Sequence, residues 1–178
     1  HKAIWTGWPS AADLWGEDLE PARAEVAAMI RALADGGRGD RVRVLAHGRE
    51  AEATAKLALG QSAEIIPGAF GDIWFRDTGP IFTKDGRALG FRFNGWGGKY
   101  QLPHDDEVGA RIALLAQAEY KLNDFILEGG AIEMDGEGTL ITTRQCLLNP
   151  NRNAHWTEEG AEAALKKALG IEKVLWLD

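Results

Sequence analysis

An internal repeat constrains this chain more than any other feature. Asp77-Thr-Gly79-Pro-Ile81 and Glu128-Gly-Gly130-Ala-Ile132 align an acid, a glycine and an isoleucine at one constant offset of 51 residues. Each segment then reaches an Asp-Gly pair, Asp85-Gly86 or Asp135-Gly136. Such a pair is a strong signal for a two-residue hairpin turn, because glycine reaches positive φ without steric cost. Ala88-Leu89-Gly90-Phe91 and Thr139-Leu140-Ile141-Thr142 follow the turns as second strands. Each unit therefore reads as a β-hairpin, a loop and a helix. A repeat of about 50 residues built this way predicts units arranged about a pseudo-symmetry axis, as in a propeller. Equivalent residues would converge near that axis, so Asp77 and Glu128 are expected to point toward one site.

The flanking segments read as α/β. Helical periodicity covers Pro21 to Asp35, with Val26, Met29, Ile30 and Leu33 on one face and Gly36-Gly37 as the stop. Arg41 to Leu45 alternates like a strand, Glu50 to Leu59 is helical, and Glu64 to Pro67 reads as another strand. Asp105-Asp106-Glu107 supplies an acidic first turn to a helix whose Val108, Ile112 and Leu115 face a core. A last helix runs from about Thr157 to Leu169, where Gly170 caps it. The expected architecture is a single domain over 1–178, with repeat units near 1–70, 71–122 and 123–178.

Composition narrows the function classes. With 45% hydrophobic and 26% charged residues the chain has a globular balance, and no apolar run approaches the roughly 18 residues that cross a bilayer. The net charge of −7, with 20 scattered basic residues, argues against nucleic acid and fits a small cationic ligand. One cysteine cannot form an intrachain disulfide, which favours a reducing cytoplasm. His1-Lys2-Ala3-Ile4-Trp5 enters an apolar segment with no initiator methionine, and Val174-Leu175-Trp176-Leu177-Asp178 stops on what reads as a buried strand, so a fragment of a longer polypeptide is expected.

Two carboxylates facing one pocket persist only with a shared proton or a bound cation. A guanidinium suits them, being planar, permanently charged and able to give each carboxylate two parallel hydrogen bonds. The same residues also have a plain structural use: Asp77 could pair with Arg76 or another arginine, and Glu128 could cap a turn. Trp74, in Ile73-Trp74-Phe75-Arg76, reads as a strand residue facing away from Asp77; a kink there would bring its indole over the pocket. Phe93-Asn94-Gly95-Trp96-Gly97-Gly98-Lys99-Tyr100 fits neither a phosphate-binding nor a dinucleotide-binding loop and reads as a pocket wall, lid or connecting loop. Cys146 sits in an apolar segment and reads as an inert thiol. His1, His47, His104 and His155 are too dispersed for a ligand motif, so neither metal nor cofactor is expected. Asn149-Pro150-Asn151-Arg152-Asn153 is turn-forming and carries no expected chemistry.

Four stretches resemble the agmatine deiminase family: Asp72-Ile-Trp74-Phe-Arg76-Asp77-Thr-Gly79-Pro80; Phe91-Arg-Phe-Asn94-Gly-Trp96-Gly-Gly-Lys-Tyr100; Leu127-Glu128-Gly-Gly130-Ala-Ile-Glu133; and Cys146-Leu-Leu-Asn149-Pro-Asn-Arg152-Asn153. The opening Ile4-Trp5-Thr-Gly-Trp8-Pro9 is similar too, so the likeness runs along essentially the whole chain.

The resemblance implies an incomplete five-bladed pseudo-symmetric α/β propeller of the pentein type and a hydrolase that converts agmatine to N-carbamoylputrescine and ammonia on the way to putrescine. In that family a cysteine thiolate attacks the guanidinium carbon and a histidine serves as acid and base. The carboxylates that hold the guanidinium map to Asp77 and Glu128, and the pocket-lining tryptophan maps to Trp74. The family's histidine lies in a Gly-His-Val-Asp type motif and its nucleophile near the C-terminus. This sequence contains neither, and Cys146 matches a different family cysteine. The resemblance thus implies that both follow Asp178 and that this chain alone is inactive. A related peptidyl-arginine deiminase receives a substrate carboxylate with arginines near the glycine-rich loop. Gly95-Trp96-Gly97-Gly98 stands there instead, which favours agmatine. A non-catalytic guanidinium-binding module or a peptidyl-arginine deiminase of the same fold is the alternative, and homo-oligomerisation is left open.

Overall fold

The computed structural model describes residues 2–178; His1, the first residue of the expected opening segment, lies outside the described residues. The chain forms two compact units, one running to Phe75 and including Leu102–His104, the other comprising Arg76–Gln101 and Asp105–Asp178.

In the first unit, strands β1 (Ile4–Gly7), β2 (Val42–Ala46) and β3 (Glu64–Pro67) form a parallel sheet in that order, with Ile4 opposite Val42 and Val44 opposite Ile65. Parallel neighbours need crossover connections, and helices α1 (Leu19–Ala34) and α2 (Arg49–Leu59) supply them. Trp8, Ile30, Val42, Val44 and Leu59 pack with Ala27, Ala34, Ala51 and Ala55 into one core. The buried stripe of α1 is Arg23, Ala27, Ile30 and Ala34. Val26 and Leu33 pack beside it, while Met29, expected on the core face, is 46% exposed. Alanines define the contact line because they let the helix approach the sheet closely. Arg23 is tolerated there because its Nε donates to Pro9 O at 3.0 Å and its two terminal nitrogens fork onto Glu50, each at 2.8 Å.

The second unit holds two sheets of one design. In the first, β4 (Ile81–Phe82) pairs antiparallel with β5 (Ala88–Arg92), which pairs parallel with β6 (Tyr120–Ile126) after helix α3 (Val108–Leu115). In the second, β7 (Ile132–Met134) pairs antiparallel with β8 (Thr139–Thr143), which pairs parallel with β9 (Lys173–Leu177) after helix α4 (Glu158–Leu169). The 51-residue offset therefore maps hairpin onto hairpin and helix onto helix. The expected boundary at 122 falls inside β6, and the first sheet of the chain, all parallel, does not share the hairpin design.

Both hairpin loops are one residue longer than the Asp-Gly signal predicts. Thr83 N–H donates to Arg87 O at 2.9 Å across Lys84-Asp85-Gly86, and Asp135 N–H donates to Thr139 O at 3.2 Å across Gly136-Glu137-Gly138. Gly86 and Gly136 adopt φ of 88° and 76°. The aspartates work at the base or inside of the loop: Asp135 Oδ1 accepts from the N–H groups of Glu137 and Thr139 at 2.7 and 3.0 Å. Those local bonds compete successfully with the tighter turn. In α4, Thr157 caps the start by accepting from Gly160 N–H at 3.2 Å, and Gly170 at φ 70° ends it. Leu127, Ile132, Leu140, Leu147, Leu165 and Ile171 form the core beneath that sheet. Among the described residues, no helix is long and apolar enough to cross a membrane.

Candidate functional site

The Ile73-Trp74-Phe75-Arg76 segment is not a strand: Phe75–Thr78 is a single helical turn. Phe75 is buried and packs edge-on against Phe70, with ring centroids 5.1 Å apart. Its N–H donates to Ile73 O at 2.8 Å, which starts the bend. A side chain on Gly7 would approach Ile73 Cα to 3.1 Å, so the strand β1 must pass this bend without a Cβ. Buried Asp72 accepts from the indole N–H of Trp15 at 3.0 Å and from that of Trp74 at 2.8 Å. Trp74 is thus fastened by its polar edge while 49% of its surface remains exposed. These contacts lie within the first unit.

Asp77 belongs to the second unit and is half-buried. Its Oδ2 accepts from Trp96 Nε1–H and its Oδ1 from Gly130 N–H, both at 3.0 Å. Arg76 does not pair with it. That guanidinium turns toward Glu133 Oε2 at 3.0 Å and Ile132 O at 3.1 Å. Among the described residues no cation pairs with Asp77.

Glu128 is 2% exposed and caps nothing with its side chain. Instead Arg152 Nε–H is shared across both carboxylate oxygens, at 2.8 and 3.0 Å. The cation that a buried carboxylate requires is supplied here from within the chain. Asp77 and Glu128 are joined through the Glu128-Gly129-Gly130 turn, and both glycines are needed for that approach. A Cβ on Gly129 would meet Arg76 O at 2.3 Å, and one on Gly130 would meet Asp77 Oδ1 at 2.2 Å. The pattern of an acid followed by two glycines is therefore a steric requirement of bringing the two segments together.

Two loops complete the arrangement. Gly95–Gly98 forms a left-handed turn in which Trp96 has φ 56° and ψ 47°. Asn94 caps it by accepting from Gly97 N–H at 2.9 Å and donates through Nδ2 to Asn151 O at 2.8 Å. In the 149–153 turn, Asn149 accepts from Asn151 N–H and Arg152 N–H, both at 2.9 Å. Asn153 then bonds both backbone groups of Ile126, at 3.0 and 2.9 Å, acting as an extra partner to the end of β6. This turn places Arg152 on Glu128. The turn-forming pattern of 149–153 carries no sign of this pairing, since no periodicity links residues 24 positions apart. Trp96 was likewise legible only as part of a loop.

The charge balance of the site follows. Glu128 has a guanidinium partner in Arg152, whereas Asp77 is held only by the neutral donors Trp96 and Gly130. Each Asp77 oxygen carries one such bond and retains capacity for another. Cys146 lies in a separate helical turn, Arg144–Leu147, with its N–H on Thr143 Oγ1 at 3.2 Å. Among the described residues, no group of three or more His, Cys, Asp or Glu is arranged to hold a metal ion.

The family model described as Porphyromonas-type peptidyl-arginine deiminase matches residues 1–178. The sequence is 39% identical to the agmatine deiminase of Pseudomonas aeruginosa strain LESB58 over 188 residues, covering 99% of this chain and 50% of the relative. It is 37% identical to that of Stutzerimonas stutzeri strain A1501, with the same coverage. Among solved structures, the agmatine deiminase of Enterococcus faecalis superposes with a TM-score of 0.90 at 28% identity, over 99% of this chain and 50% of that one. The C. jejuni agmatine deiminase solved with substrate bound gives 0.88 at 30% identity, over 99% and 53%. The chain spans about half the length of the curated relatives it matches.

Proposed function

This chain belongs to the Porphyromonas-type peptidyl-arginine deiminase family, and from that membership we propose that it forms part of an agmatine deiminase, which hydrolyses agmatine to N-carbamoylputrescine and ammonia. The observation that carries the reading is Asp77: a half-buried carboxylate oriented by Trp96 and Gly130, with no cationic partner among the described residues. The substrate guanidinium docks its paired N–H groups on the two oxygens of Asp77. Glu128 uses its remaining acceptor capacity for the same group while Arg152 keeps the pair from repelling each other. On the family resemblance alone, Trp74 is the residue proposed for the substrate's alkyl chain.

Bidentate docking fixes the plane of the guanidinium and so exposes its carbon along one direction. A cysteine thiolate adds to that carbon, the C–N bond to the departing nitrogen breaks, and ammonia leaves with a proton supplied by a histidine. Water, deprotonated by the same histidine, then displaces the thiolate and leaves the ureido product. Both groups belong, in this reading, to residues of a longer protein beyond those in this chain. The two hairpin–helix–strand sheets offset by 51 residues support a five-bladed pseudo-symmetric propeller as the complete architecture.

Substrate choice rests on the Gly95–Gly98 turn, which offers an indole and no arginine to a substrate carboxylate. The test is to incubate the full-length protein with agmatine, free arginine and a peptidyl-arginine substrate, following ammonia and ureido product. Turnover of agmatine alone is expected. Turnover of the peptide in preference to agmatine would overturn the substrate assignment, and calorimetric agmatine binding without ammonia release would identify a binding module.

A further inference from the structure

Trp96 is the one bulky residue in a run of four left-handed positions. Gly95, Gly97 and Gly98 have φ of 71°, 78° and 83°, where glycine is at home, and Trp96 sits among them at 56°. A side chain with a Cβ pays for this conformation through its clash with the following carbonyl, so such a residue persists only where the surroundings over-determine it. Here they do. Gly98 N–H closes onto Asn94 O at 2.9 Å and Tyr100 N–H onto Gly95 O at 3.0 Å. Asn94 ties the turn to Asn151. Phe93 and Tyr100 hold the indole by its edges, at centroid separations of 4.9 and 6.2 Å and near-perpendicular angles. The outcome of all these restraints is the direction of one bond, the indole N–H aimed at Asp77 Oδ2.

We propose that Trp96 is a positioning residue for guanidinium recognition, acting through Asp77. With an indole N–H on one oxygen and Gly130 N–H on the other, the carboxylate plane is fixed before any ligand arrives. A lone ammonium needs only charge, whereas the parallel N–H groups of a guanidinium need both oxygens in a defined plane. The strained turn thus supplies preorganisation rather than contact with substrate. This inference rests on the guanidinium reading of the site above.

The test is a kinetic cycle in the full-length protein, using agmatine and the variants Trp96→Phe, Asp77→Asn and their combination. Phenylalanine keeps an aromatic ring against Phe93 and Tyr100 and removes the N–H. Loss of one hydrogen bond to a charged group is expected to lower kcat/KM by about 10- to 100-fold in the wild-type background. In the Asp77→Asn background the same substitution is expected to cost less than about threefold, because the group it positions is already gone. Equal losses in both backgrounds would show a merely structural role and overturn the proposal, as would an unchanged Trp96→Phe variant. If Asp77→Asn itself kept wild-type turnover, the guanidinium site would be misassigned, and that failure is distinct from an idle Trp96. Should Trp96→Phe fail to fold, selective nitrogen labelling of tryptophan decides the matter. The Trp96 indole N–H resonance, recognised as the one that Asp77→Asn displaces most, should move when agmatine is added to wild type. Its standing still at saturating agmatine would overturn the proposal.

Discussion

Replacing Arg152 with alanine isolates the charge that stabilises Glu128. The two side chains are 12% and 3% exposed, and one Nε–H bridges both carboxylate oxygens at 2.8 and 3.0 Å. With the charge centres about 4 Å apart in a medium of effective dielectric near 20, their attraction is about 4 kcal/mol. Removing the cation leaves Glu128 desolvated and uncompensated, a change that costs about 3–5 kcal/mol when one partner of a buried pair is deleted. For a chain of this size, that corresponds to a melting-point fall of roughly 6–20 °C, at about 2–4 °C per kcal/mol. The surrounding turn survives the substitution, since Asn149 and Asn153 hold it through bonds that do not involve the guanidinium. The penalty should therefore vanish for the most part in Arg152→Met with Glu128→Leu, where apolar groups replace both charges. Urea unfolding of wild type, Arg152→Met, Glu128→Leu and the double variant gives the coupling directly, with Arg152→Ala measured alongside. An Arg152→Ala cost below about 1 kcal/mol, typical of an exposed pair, would refute the argument that this pair is buried and decisive.

Three further outcomes follow from the geometry. Gly129→Ala would place a Cβ 2.3 Å from the backbone oxygen of Arg76, and a loss of about 1–3 kcal/mol in urea unfolding is expected; wild-type stability would contradict the close approach. Gly130→Ala instead meets a movable side-chain atom, Asp77 Oδ1 at 2.2 Å, so it should lower agmatine turnover of the full-length protein more than it lowers stability. Asp85 is held at about 2, below its ordinary 3.8, by the Arg87 guanidinium and then by the Thr83 hydroxyl. A depressed folded pKa stabilises above the unfolded value and loses that contribution as pH falls through the folded one. The melting-point difference between wild type and Asp85→Asn should thus be present at pH 5–7 and shrink between about pH 4 and 2; a difference that widened on acidification would reverse the sign.

What could be read from the sequence was what repeats or alternates. The 51-residue offset anticipated two sheets of one design, and the segment from Thr157 to Gly170 announced its own caps. Local chemistry misled where several bonds compete over a few residues: Asp85 and Asp135 enlarge their hairpin loops, and the bend at Ile73 turns an expected strand into one helical turn. Periodicity sets Met29 on the core face, whereas the buried stripe of α1 runs through Arg23, Ala27, Ile30 and Ala34. The site divided the same way. Asp77 and Glu128 were visible as equivalent acids, but their partners were not. Arg152 reaches Glu128, and Trp96 reaches Asp77, through loops whose conformations depend on Asn94, Asn149 and Asn153 together. Such long-range pairing leaves no period in the sequence.

Ammonia release from agmatine by the full-length protein carrying Asp77→Asn decides whether Asp77 receives a guanidinium. The substitution preserves the shape of the side chain and removes the charge. A fall in kcat/KM of about 30-fold or more is expected, as when one member of a desolvated charge pair is lost. Turnover within about threefold of wild type, in a variant with unchanged stability, would contradict it.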